Sequence, residues 1–264
     1  NVSDYYTLTK LNPGYRVFFG NNDFIDIEDS PEKICKKFEE IEKGSGVKLK
    51  KFLKVAKENY QIGVSDMLYK MPGNSPMELI SMQTIKRVRF FLSNIRKEVR
   101  RDFKNPKLRS VLEFPVLFLG AKASNTPAFY NFMNYADFGI GTYQPPNGFH
   151  DLVNAMVNLG TSLGVKYKVN HELQKINIKN KKVKSIIVND SLVNCDLLLS
   201  GADYHHTESL LPKESKQYSE KYWKSRVFAP SSLLFYVGFN KKLKNVQHHN
   251  LIFDTDFYKN AEVI

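Results

Sequence analysis

The residues of this chain best suited to hold a metal or to attack a carbonyl are its six histidines and two cysteines. Their spacing argues against both roles. His205-His206 and His248-His249 are adjacent pairs, which on a strand point to opposite faces, and no carboxylate stands at HxxE or HExxH spacing. No metal site is expected. Cys35 and Cys195 are too few for a disulfide framework or a four-ligand zinc site, which points to a reducing compartment. There is no GxSxG elbow, no Cys-His signature and no Walker sequence. Gly139-Ile-Gly141-Thr-Tyr-Gln lacks the last glycine of GxGxxG and does not follow a strand. No catalytic acid, base or nucleophile is identified by spacing. The remaining chemistry is aromatic: residues 105–152 hold Phe114, Phe118, Phe129, Tyr130, Phe132, Tyr135, Phe138, Tyr143 and Phe149. Rings at that density either fill a core or line an apolar pocket.

The elements around this block follow from periodicity. Tyr15, Val17 and Phe19, then a turn at Asn21-Asn22-Asp23, then Phe24, Ile25 and Ile27 read as a hairpin. Arg16 lies among these rings, as a stacked surface arginine or a binding residue. Ser30 as N-cap and Pro31 at the first helical position open a helix with Ile34, Phe38 and Ile41 on one face. Gly44-Ser45-Gly46 ends it, and a second helix from about Val47 carries Leu49, Phe52, Leu53, Ala56 and Tyr60. After a loop at Pro72, Gly73 and Pro76, one long helix is expected over 77–103, with Val88, Phe91, Leu92, Ile95, Val99 and Phe103 as a narrow apolar stripe. Lys86, Arg87, Arg89, Arg96, Lys97, Arg100, Arg101 and Lys104 flank that stripe, so this helix either lies on anionic headgroups or packs on the core with a solvated back. A helix over 150–163 ends at Gly164. Strands are expected at Val165–Val169, Leu173–Ile178, Val183–Val188 and 196–200, with turns at Asn180-Lys181-Lys182 and Asn189-Asp190-Ser191. A helix over 208–222 and strands over 231–239 and 251–253 complete the pattern.

With 264 residues the chain is long enough for one large domain or two lobes, and its net charge of +12 points to an anionic partner or to a solubilising lysine surface. A nucleic-acid module would interleave rings with lysine and arginine, whereas here the aromatic block is poor in charge. No nucleic-acid partner is expected. No apolar run is long enough to span a membrane, and the N-terminus has no signal-peptide pattern. The chain starts without Met and stops within an apolar pattern, as a piece of a longer protein would.

An ordered set of short motifs resembles bacterial carotenoid desaturases, the phytoene desaturase family and its hydroxycarotenoid relatives within the FAD-dependent amine-oxidase-like superfamily. The motifs are Leu11-Asn-Pro13-Gly-Tyr15-Arg16, Pro106-Lys-Leu-Arg109, Phe114-Pro-Val-Leu-Phe118-Leu-Gly120, Pro127-Ala-Phe-Tyr130 and Tyr143-Gln-Pro-Pro-Asn-Gly148. Downstream, Ser200-Gly-Ala-Asp203-Tyr-His-His206, Tyr222-Trp223, Ala229-Pro-Ser231 and His248-His249-Asn250-Leu251 extend the likeness over essentially the whole chain. The family's paired glycines before the following helix are Asn147-Gly148 here.

The resemblance implies an internal fragment, lacking the glycine-rich first half of the FAD domain. The implied fold is α/β with α+β character: a substrate-domain mixed sheet with a helical lid, plus the β-meander of a Rossmann-like FAD/NAD(P)-binding domain. Residues 1–29, 105–144 and 224–264 would form the substrate domain, 30–104 the lid and membrane-facing region, and 145–223 part of the FAD domain. Leu173, Gly201 and Ala202 would approach FAD. Arg16, Phe129, Tyr130, Phe132, Tyr135 and Tyr143 would line the path of a C40 polyene desaturated by hydride transfer to the flavin. A hydroxycarotenoid 3,4-desaturase, or a non-catalytic apolar-ligand or membrane-binding fragment, are the alternatives. The implied location is the cytoplasmic face of the cell membrane, with peripheral contact through 77–103.

Overall fold

The alternation at Tyr15–Phe19 produces the hairpin it predicts, within a computed structural model that describes residues 2–69, 75, 77, 80–227, 231–253 and 259. After β1 (Thr9–Lys10), strands β2 (Tyr15–Gly20) and β3 (Asp23–Ile27) pair antiparallel, Tyr15 opposite Ile27 and Val17 opposite Ile25. Alternate side chains share a face, and these four are buried together. Ser30 Oγ accepts the Lys33 amide and Pro31 occupies the first turn, so α1 (Pro31–Ile41) starts where its caps dictate. The second helix, α2 (Ser45–Tyr60), begins two residues before Val47, because Gly44 takes the left-handed conformation at φ +83° and completes the turn itself. Position 46 must be glycine for α1 and α2 to pack: a Cβ there would lie 2.6 Å from the Cys35 carbonyl oxygen. A π-type helix, Gln61–Leu68, extends α2.

The single helix expected over 77–103 is three short ones among the described residues: α3 (Met82–Ile85), α4 (Val88–Leu92) and α5 (Ile95–Asp102). Two local features cut it. Arg87 departs from helical geometry at φ −107° and ψ 8° between α3, which Ser81 opens with a capping box to Thr84, and α4; Ser93 and Asn94 become extended, Asn94 bridging Pro127 and capping the Lys97 amide. Neighbouring backbone supplies partners for the opened turn, since Ile95 N–H donates to the Thr126 carbonyl and Ala128 N–H to that of Ser93. Ile95, Val99 and Phe103 are buried as the stripe requires, but Val88 and Leu92 are exposed and Phe90 is buried instead. The loop at Pro72, Gly73 and Pro76, the Ala229-Pro230 part of a family motif and most of the last eleven residues lie outside the described residues.

Helix α6 (Pro106–Glu113), a 3-10 turn over Phe114–Leu119, another over Ala128–Asn131, α7 (Phe132–Tyr135) and a π-turn over Ala136–Ile140 follow. Strand β4 (Tyr143–Gln144) pairs with β1. The core gathers Val17, Ile34, Phe38, Leu49, Phe103, Leu108 and Leu112, with Phe103 edge-on to Phe38 and Phe52 at 6.1 and 6.5 Å. Edge-to-face contact is the favoured aromatic geometry.

Helix α8 (His150–Ser162) precedes the antiparallel meander β5 (Leu173–Lys179), β6 (Lys182–Val188) and β7 (Ser191–Asn194). Both turns use the positive φ that two-residue hairpins need, at Asn180-Lys181 and Asn189-Asp190. The helix expected over 208–222 is divided at Pro212 into α9 (Tyr204–Ser209), a 3-10 turn and α10 (Glu220–Lys224). His205 and His206 therefore lie on a helix. The strands expected at 165–169, 196–200 and 231–239 are absent, because no described backbone lies alongside to complete a ladder. Strand β8 (Asn250–Ile252) runs parallel to β2 and closes the sheet β3-β2-β8. The chain divides into two units, Asn1–Leu152 with Ala229–Ile264 and Val153–Phe228, and mixes helix and sheet throughout.

Candidate functional site

Three buried asparagines hold the aromatic block against the helices. Asn59 Nδ2 on α2 donates to Asn131 Oδ1 at 2.8 Å, and Asn134 Nδ2 donates to the Leu112 carbonyl at 2.9 Å. An amide left unpaired at such depth would cost about 1–3 kcal/mol, so these bonds pin residues 128–135 in place. The block then divides. Phe129 is buried beside Phe90 and Ala128, stacks on Phe91 at 4.6 Å and meets Phe132 edge-on at 5.9 Å; Tyr130 reaches Phe132 at 5.3 Å. Gly63, in the π-type helix, faces this cluster, and a Cβ there would be 3.1 Å from Phe129 Cε1. Phe129, Tyr130 and Phe132 are thus brought together. Helices with a π-turn often carry functional groups at the widened step.

Tyr135 goes elsewhere. Its ring folds over Gly139, where a Cβ would meet it at 2.4 Å, and touches Tyr60 edge-on at 5.4 Å. With Leu53, Cys35 and Pro31 it lines a groove of about 870 Å³. Burial and Glu32 push the Cys35 thiol above its ordinary range, so it rests as a neutral, unreactive group. Tyr143 is partly exposed on β4, with Lys10 Nζ 5.8 Å from its ring.

Arg16 is buried and its fork is taken: Nε and Nη2 donate to Asp26 at 2.6 and 2.8 Å, Nη1 donates to the Asn245 carbonyl at 3.0 Å, and Phe24 lies 3.7 Å beneath. Its neighbour Tyr15 donates to Asp137 Oδ2 at 2.6 Å. Burial raises the Asp137 carboxyl to about 6, against the opposing hydrogen bond from Tyr15. Glu113, only 1% exposed, faces Arg96 and Arg100 at 3.4 Å each; burial still holds its carboxyl above the usual range. Neither carboxylate was legible from spacing, because each partner comes from a distant part of the chain.

In Val153–Phe228, Leu173 opens β5 opposite Val188, half-buried. Gly201 and Ala202 are exposed in the loop before α9, where Asp203 accepts the His206 amide, and nothing lies within 4 Å of a Cβ placed on Gly201. That stretch of backbone is open to its surroundings. It is not a phosphate cradle, and the sequence has no glycine-rich turn of that kind. Among the described residues no cluster of His, Cys, Asp or Glu can hold a metal ion, and no helix is long and apolar enough to cross a membrane.

Residues 2–255 match the family model of flavin containing amine oxidoreductases. A carotenoid 3,4-desaturase of Haloarcula japonica is 31% identical over 257 residues, 96% of this chain and 52% of that protein. The phytoene desaturase of Fusarium fujikuroi is 26% identical over 97% of the chain and 46% of its own length. The 1-hydroxycarotenoid 3,4-desaturase of a Flavobacterium species is 25% identical over 90% and 48%. The chain spans about half the length of the curated relatives it matches. With a match across nearly all of its residues, it belongs to the flavin containing amine oxidoreductase family.

Proposed function

We propose that the protein containing this chain is an FAD-dependent oxidoreductase that desaturates a C40 carotenoid, phytoene or a related polyene. The observation that carries the reading is the family match over residues 2–255 together with relatives named as carotenoid desaturases along the same stretch. When bound, FAD supplies a two-electron acceptor for the C–H bond being oxidised. The protein's part is to bind, orient and keep water away. Tyr130 and Phe132 offer adjoining ring surface backed by the buried Phe129, and Tyr135 adds a ring on a groove of its own. Tyr143 is accessible beside Lys10, and Arg16, locked to Asp26, holds the hairpin and its Phe24 ring. Leu173, Gly201 and Ala202 carry the contact with FAD; the uncrowded backbone at Gly201 supports that role.

In this reading residues 1–29, 105–144 and 224–264 form the substrate domain, 30–104 a lid, and 145–223 the meander part of the cofactor domain. The compactness of Val153–Phe228 supports the last of these. The protein works at the cytoplasmic face of a membrane, where its substrate dissolves, with 77–103 turned to the lipid; the exposed Val88 and Leu92 support this. A 3,4-desaturase is the alternative, since relatives with that name match the chain at 31% and 25% identity and a phytoene desaturase at 26%.

The test is anaerobic mixing of the purified full-length protein with each carotenoid. Bleaching of a bound flavin at visible wavelengths, with a red shift of the polyene product, is expected for one substrate and not the other. A full-length protein that folds without flavin, or a flavin that no carotenoid bleaches, overturns the reading.

A further inference from the structure

The basic residues fall into two populations. The arginines of α4 and α5 and the turn before them are largely engaged: Arg87 with Glu58, Arg89 and Arg101 with Glu98, Arg96 and Arg100 with Glu113. On α2, Lys48 pairs with Glu42, but the other four lysines are in no salt bridge among the described residues. Lys50, Lys54 and Lys57 recur at steps of four and three on one helical face, Lys51 stands beside them, and all are exposed. No salt bridge occupies any of these four among the described residues; Lys57 lies 5.9 Å from the Tyr135 ring centroid. All four line one groove whose apolar floor includes the half-buried Pro31, Cys35 and Tyr135, together with Gly139, buried Leu53 and the carboxylate residue Glu32.

We propose that this groove binds an anionic phospholipid, its phosphate between the α2 lysines and an acyl chain along the apolar floor. Charge complementarity selects the headgroup: three ammoniums along one face meet one or more phosphate oxygens, and long lysine stems reach the interface with their methylenes on apolar surface. The floor selects the tail, since a free phosphate would leave the half-buried Pro31 and Tyr135 side chains uncovered. Gly139 is the enabling position, for any side chain there would drive the Tyr135 ring out of the groove. The inference deepens the membrane part of the proposed function by moving the anionic contact from 77–103 to α2, and it is independent of which carotenoid is oxidised.

The test is flotation of the full-length protein with vesicles of phosphatidylcholine, with or without phosphatidylglycerol. Binding to the anionic vesicles is expected. K50E/K54E, checked by circular dichroism for intact folding, should weaken it at least roughly 30-fold, from about fivefold per basic side chain at an anionic surface. K182E/K184E, on exposed lysines of β6, should weaken it far less. Y135W should be quenched by phosphatidylglycerol with brominated acyl chains beyond the quenching seen in the unaltered protein. Equal losses from the two lysine pairs would reveal diffuse surface charge and overturn the groove. Competition by inorganic phosphate as effective as that by soluble short-chain phosphatidylglycerol would make it an anion site and overturn the lipid. Quenching of Y135W no greater than in the parent overturns the buried acyl chain. Flavin content is read on the same samples, so failure of the oxidoreductase reading shows there and failure of this one in the vesicles.

Discussion

In the unit formed by Asn1–Leu152 with Ala229–Ile264, Phe38, Phe103 and Phe138 are enclosed on every side, and hairpin, helices and 3-10 turns all contribute to one core. In Val153–Phe228 the buried side chains among the described residues are Ala155, Ile176, Ser185 and Glu208, while Leu197 and Leu199 stand 86% and 93% exposed. Both stretches are comparably rich in apolar residues, so the difference is one of partners, not composition. The first has elements that cover one another. The second displays an apolar surface of the kind that marks an interaction site. Part of the first behaves like the second, for Leu233, Leu234 and Phe235 are exposed as well.

That contrast can be broken by mutation. The largest effect belongs to Phe38→Ala, which opens a cavity in the enclosed core and should cost about 3–5 kcal/mol in chemical denaturation of the chain. Glu113→Ala comes next, at roughly 2–3 kcal/mol, because it leaves a gap where a buried side chain faced Arg96 and Arg100. A loss below about 1 kcal/mol would show that solvent reaches the pair. In the second unit, Glu208→Ala should cost roughly 2 kcal/mol, since its buried carboxylate accepts the Gln217 and Tyr218 amides and the Trp223 indole. The indole fluorescence should report that loss.

Asp137 sharpens the comparison through pH. Folding raises its carboxyl from 3.8 to about 6, so the folded state holds the proton more tightly. The resulting stability is complete below about pH 4 and is lost as pH rises through about 6. Asp137→Asn should therefore stabilise the chain at pH 7 by about 1–3 kcal/mol, flattening the pH profile between those limits. The smallest effect is Leu199→Ser, within about 0.5 kcal/mol in this chain. A marked loss for this substitution in the full-length protein alone would identify the exposed strip as a covered face.

What the sequence disclosed followed the same division. The hairpin at Tyr15–Ile27, the Ser30-Pro31 start of α1 and the turns at Asn180-Lys181 and Asn189-Asp190 are governed by local sterics and caps, and each stands where its residues place it. Residues 165–169, 196–200 and 231–239 have the pattern of strands, but a strand exists only beside another strand, and pattern cannot supply the neighbour. The break at Ser93-Asn94 was hidden for a related reason: its stabilising partners, Thr126 and Pro127, lie more than a helix away. Of the candidate site, the clustering of Phe129, Tyr130 and Phe132 follows from their nearness in sequence, whereas the turn of Tyr135 over Gly139 toward α2 did not show in the pattern. Tyr15 with Asp137, and Glu113 with its arginines, required the fold.

The parallel pairing of β8 with β2 sets a timetable for synthesis. Arg16 and Asn250 are register partners, so a ribosome working at typical speed exposes them roughly 10–50 s apart. Through that interval the hairpin has one bare edge, while the β5-β6-β7 meander, joined by two-residue turns, has every partner in hand as soon as it emerges. The unit with the better core is thus the later to finish. During translation its Tyr15–Gly20 edge is the one a chaperone has reason to guard.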